Sequence, residues 1–98
     1  MFARITKFQL KMDRIDESVK LYRKSVVPAA KSQKGYCRTY LLVDNKTGKC
    51  AVLSLWESEE DAIANEENRF YQEQLVKFLN LLEEPSFIRE EYKVKVQA

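Results

Sequence analysis

Arg38, Tyr40, Trp56, Asn65 and Tyr71 are the side chains of this 98-residue sequence best suited to holding a small molecule. A guanidinium can hold an anion, a phenol or an amide can hydrogen-bond a substrate oxygen, and an indole supplies a flat apolar wall. Each also has a plainer role. Trp56 stands where a large ring commonly seals a sheet-to-helix junction, and this core role is the expected one. Arg38 can pair with the acidic second half of the chain, and Asn65 can mark a helix break. The sequence has no histidine, so a general base would have to be a carboxylate, a perturbed lysine or a tyrosine, unless the substrate arrives already ionised. Two cysteines without histidine make a poor redox-metal site, and with Gly35 and Gly48 as the only glycines there is no glycine-rich dinucleotide loop. The expected cofactor is therefore none, neither metal nor flavin.

The elements that would position these groups follow from periodicity. Residues 2–10, FARITKFQL, are β-rich and read as a strand that ends where Met12-Asp13-Arg14 breaks the pattern. Ile15, Val19, Tyr22, Val26 and Ala30 recur at steps of three and four, which predicts an amphipathic helix, kinked or ended near Val27 by Pro28. Gly35 stops the segment. Tyr36 to Val43 and Cys50 to Trp56 flank the turn-forming DNKTGK and predict an antiparallel hairpin. Ser58-Glu59-Glu60-Asp61 then caps a helix whose acidic first turn suits the positive end of the dipole. Asn65 and Asn68 mark a break before a second helical run with an apolar stripe of Tyr71, Leu75, Phe78, Leu79 and Leu82, closed by Pro85. Phe87 to Val96 alternate apolar and charged residues as a last strand. The order β-α-β-β-α-β is the split βαβ arrangement of an α+β, ferredoxin-like antiparallel sandwich.

A single domain over residues 1–98 fits this length. No apolar run is long enough for a signal peptide or a membrane span, so the expectation is a cytoplasmic protein without membrane contact. Residues 1–49 carry 12 Lys/Arg against 4 Asp/Glu and residues 50–98 carry 5 against 11, which points to basic and acidic surfaces that neutralise one another rather than to a nucleic-acid binder. Two helices cover only one face of a four-stranded sheet, yet the hairpin is apolar on both parities: Cys37, Leu41, Val43 and Val52 on one, Tyr36, Tyr40, Leu42, Leu53 and Leu55 on the other. Burying the uncovered face against an identical sheet predicts a homodimer, with the charged last strand near the subunit junction. In the hairpin register Cys50 lies opposite about Val43, some 20 Å from Cys37, so both thiols should be free.

The Pro28 region of the first helix, Lys34-Gly35-Tyr36, Leu41-Leu42-Val43-Asp44 with Thr47-Gly48-Lys49, and Leu55-Trp56-Glu57-Ser58-Glu59-Glu60 together resemble the antibiotic biosynthesis monooxygenase-like domains of the dimeric α+β barrel superfamily. The resemblance covers nearly the whole chain. It implies a homodimer and, among the activities of that family, cofactor-independent oxidation of a small aromatic substrate of quinol or polyphenol type by dioxygen. It also admits a non-catalytic barrel that binds or senses a small molecule. Against the haem-degrading branch the sequence departs: that branch's porphyrin-ruffling Trp falls near Asn65, its iron-ligating His near Leu75 and its strand-one Asn near Lys7, so haem is not an expected substrate. An RNA-recognition motif shares the strand order, but its Lys-Gly-aromatic signature belongs on the third strand, whereas Lys34-Gly35-Tyr36 opens the second.

Overall fold

A computed structural model describes residues 1–84 and 86–98 of the chain, so the closing role expected of Pro85 lies outside the described residues. Four strands, β1 (Phe2–Gln9), β2 (Tyr36–Val43), β3 (Lys49–Trp56) and β4 (Ile88–Lys93), form one antiparallel sheet in the order β2-β3-β1-β4. All helices come from the two crossovers, α1 (Ile15–Leu21) and α2 (Val27–Lys31) from the first, α3 (Glu59–Glu67) and α4 (Arg69–Val76) from the second. This is the ferredoxin-like α+β sandwich that the alternation of periods predicts.

The first helix does not end at Val27. It runs on to Lys31 through a wide turn at Tyr22–Val26, in which the Val27 amide bonds back to the Tyr22 carbonyl, five residues away. Proline lacks the amide that would bond four residues back, and its ring crowds that carbonyl; a widened turn immediately before Pro28 relieves both problems without ending the helix. The break in the second helical segment falls at Asn68 and not at Asn65. Asn68 has extended ψ (117°) and its side chain accepts from the Tyr71 amide at 2.8 Å, restarting the helix as α4. The start of α3 is as expected: the Asp61 amide donates to Ser58 Oγ at 3.1 Å, and the Ser58 hydroxyl donates to Asp61 Oδ2 at 2.9 Å.

The hairpin register agrees with the turn chemistry, with Val43 opposite Cys50, and both cysteines are free. A bulge between Tyr36 and Arg38 changes the parity at the start of β2. Tyr36 therefore shares a face with Thr39 and Leu41, and packs edge-on against Trp56 with ring centroids 5.9 Å apart. The helix-covered face carries Phe2, Arg4, Thr6 and Phe8 of β1, Cys50, Val52, Ser54 and Trp56 of β3, and Arg89 and Glu91 of β4. Its main core joins Leu10, Tyr22, Val26, Ala29, Ala30, Cys50, Tyr71, Phe78, Leu81 and Leu82. In β4 the apolar Ile88 and Tyr92 point to the uncovered face, 64% and 50% exposed. That face also bears Ile5, Leu42, Leu53 and Leu55, so the apolar surplus anticipated from the sequence is real. Among the described residues no helix is long and apolar enough to cross a membrane.

Candidate functional site

Where the second helical segment lifts from the sheet, a cleft of about 600 Å³ opens between the layers. Its floor is the covered face of the sheet, with Arg4, Thr6 and Phe8 from β1, Val52 from β3 and Arg89 from β4. Its wall is Tyr22 from the first helix and Tyr71, Leu75, Phe78, Leu79 and Leu82 from the second, with Phe87 at the entry to β4. The stripe read as core is thus divided in function. Tyr71, Phe78 and Leu82 are buried, while Leu75 and Leu79 stay 36% and 42% exposed because they face the cleft rather than closed packing.

One end of this apolar space is ionic. Arg4 is only 5% exposed, and its guanidinium is held on three sides: it donates to the Ala62 carbonyl and to Asn65 Oδ1 at 3.4 Å, and its Nε lies 3.1 Å from Glu66 Oε1. The same Glu66 oxygen is 2.7 Å from Arg89 Nη1, so a single carboxylate bridges two guanidiniums. Neither Arg4 Nε nor Glu66 Oε1 has an aligned hydrogen bond, so these two contacts are charge contacts without donor–acceptor alignment. Burial pulls the Arg4 pKa below its ordinary value, and Glu66 opposes the shift. Arg89 is anchored differently, 38% exposed, with its guanidinium carbon 5.6 Å above the Phe87 ring. Burial also raises the Tyr71 pKa, against the opposing charges of Arg4 and Arg89, so its phenol stays protonated and serves as a hydrogen-bond donor rather than a base. The Tyr22 hydroxyl is likewise raised by burial, and is paired with Thr39 Oγ1.

Of the five residues singled out from the sequence, Tyr71 lines the cleft and Asn65, fully buried, lies behind it as the acceptor for Arg4. Trp56 is fully buried at the sheet-to-helix junction, packed with Phe2 and Ala62, its indole donating to Ser54 Oγ at 3.2 Å. Arg38 and Tyr40 lie on the uncovered face of the sheet, where Arg38 Nη1 donates to Tyr40 Oη at 3.3 Å. Tyr71 and Asn65 are therefore brought together with residues that sequence reasoning passed over, Arg4, Glu66 and Arg89. A signal was present for one of them: in the alternation Phe2, Arg4, Thr6, Phe8 a charged residue occupies a core-facing position.

No family model matches the sequence. Two uncharacterized proteins of Mycobacterium tuberculosis, from strains CDC 1551/Oshkosh and H37Rv, are 34% identical to it over 67 residues; the match takes in 68% of this chain and 30% of the length of each relative. The chain thus aligns with under a third of the curated relatives it matches. Among solved structures, a conserved protein from Methanosarcina mazei superposes with a TM-score of 0.81 at 16% identity, over 96% of this chain and 92% of that one. An antibiotic biosynthesis monooxygenase gives 0.78 at 16% identity, over 96% and 98%. SnoaB, a cofactor-independent oxygenase from Streptomyces nogalater, gives 0.78 at 9% identity, over 98% and 94%. The chain has the fold of the antibiotic biosynthesis monooxygenase-like domain.

Proposed function

We propose that this protein is a cofactor-independent monooxygenase that oxidises a small aromatic substrate of quinol or polyphenol type with dioxygen in the cleft between sheet and helices. The observation that carries this reading is the cleft itself, about 600 Å³ walled by Phe8, Phe78, Phe87 and aliphatic side chains, with guanidinium donors at one end and the Tyr71 phenol on its wall. An electron-rich ring fits the walls, and the donors stabilise negative charge in a space from which water is largely displaced. The likeness of fold to SnoaB supports the same reading.

The chemistry asks little of the chain. A phenolate donates an electron to dioxygen, the resulting radical pair combines at a ring carbon, and loss of water leaves a quinone; one oxygen atom enters the ring and the other departs as water. The protein's part is to bind the ring with its charged end at the guanidinium cluster, donate a hydrogen bond to the developing anion from Tyr71, and exclude solvent. With no histidine in the chain, the substrate enters ionised or releases its proton at the open mouth. No metal or flavin is required by this route.

The functional unit in this proposal is a homodimer joined through the uncovered sheet face, whose Leu42, Ile88 and Tyr92 are each at least half exposed in the single chain. The decisive experiment is oxygen uptake by purified, metal-stripped and flavin-free protein across a panel of quinols and polyphenols. Uptake above the rate of substrate autoxidation, with a quinone product, is the expected result. Uptake that appears only with added flavin or iron would overturn the cofactor-free mechanism, and a panel without any turnover would favour a binding or sensing role.

A further inference from the structure

The Arg4–Glu66–Arg89 cluster contains two cations and one anion, and it sits at one end of a largely apolar cleft. Arg4 is 5% exposed, so its charge is not neutralised by water, and its guanidinium is already engaged by Ala62, Asn65 and Glu66. Glu66 is shared between the two guanidiniums, and Glu91, opposite Arg4 on the same face and favouring its charge, is exposed and does not line the cleft, so the cleft lining here presents more cation than anion. Glu67 also lines the cleft, but its side chain is exposed at the mouth and makes no ion pair among the described residues. Arg89 has N–H groups free of partners among the described residues on the cleft, whereas the unpartnered N–H of Arg4, on Nε, is buried against Glu66; the Phe87 ring and Glu66 hold Arg89 in place.

We infer that the cleft takes a substrate bearing a carboxylate, held by Arg89, with Arg4 acting through Glu66 as the positioning residue that fixes Arg89. This inference rests on the reading of the cleft as the substrate site. A carboxylate meets the need better than a phenol does. It is ionised at neutral pH, whereas an ordinary phenol with a pKa of about 10 is not. Its two oxygens also match the planar fork of a guanidinium, which a single phenolic oxygen cannot. The aromatic body of the ligand then lies along Phe8, Phe78 and Leu79, beneath the donor of Tyr71.

Three probes of one shape separate the possibilities: 2-naphthoate, 2-naphthol and the neutral 2-naphthalenemethanol, titrated into the protein by calorimetry at pH 7 and low salt. The expected result is that naphthoate binds on the order of tenfold to a hundredfold more tightly than either neutral probe, as a charge-assisted pair contributes. Arg89→Gln, checked for an unchanged melting temperature, should remove that preference and leave affinity for the alcohol within about twofold. Arg4→Lys, checked for an unchanged melting temperature, should weaken naphthoate alone. Equal affinity for acid and alcohol, or a preference that survives in R89Q, would overturn the inference while leaving the cleft as a binding site. Naphthol matching naphthoate would overturn the carboxylate in favour of a phenolate, and failure of all three to bind would defeat the substrate-site reading as well.

Discussion

Replacing Trp56 by alanine separates a structural from a functional tryptophan, and its cost can be worked from the structure. The side chain is fully buried, packs with Phe2 and Ala62, meets Tyr36 edge-on at 5.9 Å, and donates to Ser54 Oγ. Truncating a buried large aromatic costs about 3 to 5 kcal/mol, and here the upper half is expected because the change also removes an aromatic pair and the indole partner of a buried serine. A domain of this length is stable by roughly 5 to 15 kcal/mol, so the variant gives up about a quarter or more of its stability. At about 4 to 8 °C per kcal/mol, the melting temperature should fall by roughly 16 to 40 °C. Trp56→Phe keeps most of the packing and loses only the Ser54 hydrogen bond, so its decrease should be well under half of that. Thermal melts followed by far-UV circular dichroism, at matched protein concentration, decide the matter. A Trp56→Ala protein that melts within a few degrees of the parent and loses only quinol-dependent oxygen uptake would refute the core assignment and make Trp56 a pocket residue.

Burial raises the Cys50 thiol from an ordinary 9.0 to about 12. The folded state therefore holds that proton more tightly than the unfolded chain, and the resulting stability is present below pH 9 and is lost as pH rises toward 12; a Cys50→Ala variant should show a shallower alkaline decline in melting temperature, and an unchanged slope would contradict the burial argument. In the parent protein, thiol titration should find Cys37 reactive when folded and both cysteines reactive only after unfolding. Gly48→Ala places a Cβ 2.7 Å from the Leu10 carbonyl at a φ of +79°, and should lower stability by about 1 to 3 kcal/mol in chemical denaturation; a cost under 0.5 kcal/mol would show that the turn relaxes freely. Light scattering should give twice the 11.6 kDa chain mass for the parent and a single chain mass for a Leu42→Glu, Leu53→Glu variant, whereas a parent at 11.6 kDa would remove the face-to-face dimer.

Elements with strong local grammar were legible without the structure. DNKTGK, with Gly48 in the left-handed region, set the hairpin and its Val43–Cys50 register, and Ser58 capped its helix through Asp61. Contextual features were harder to read. Pro28 signalled a kink or an early end, and of the two only the end is absent: Val27 to Lys31 remain helical past a widened turn, which costs less than abandoning the burial of Val26, Ala29 and Ala30. Tyr36 moved to the covered face because a bulge, invisible in the alternation itself, inserted one residue at Cys37. The site depended on long-range meetings. Arg4 and Glu66 are 62 positions apart and Arg89 comes from the far edge strand, so only the strand order β3-β1-β4 brings their charges together. Arg38 and Tyr40 had the right chemistry for an anion, but parity alone could not say which face of the sheet the helices cover.

The central claim is tested most directly by oxygen consumption with a carboxylate-bearing hydroquinone, in protein freed of metal and flavin, for the parent and for Arg89→Gln. The account predicts uptake of one dioxygen per quinone formed by the parent and a loss on the order of tenfold or more in kcat/KM for the variant, at an unchanged melting temperature. An Arg89→Gln protein that turns over as fast as the parent, or a parent that consumes no oxygen until iron or flavin is supplied, would contradict it.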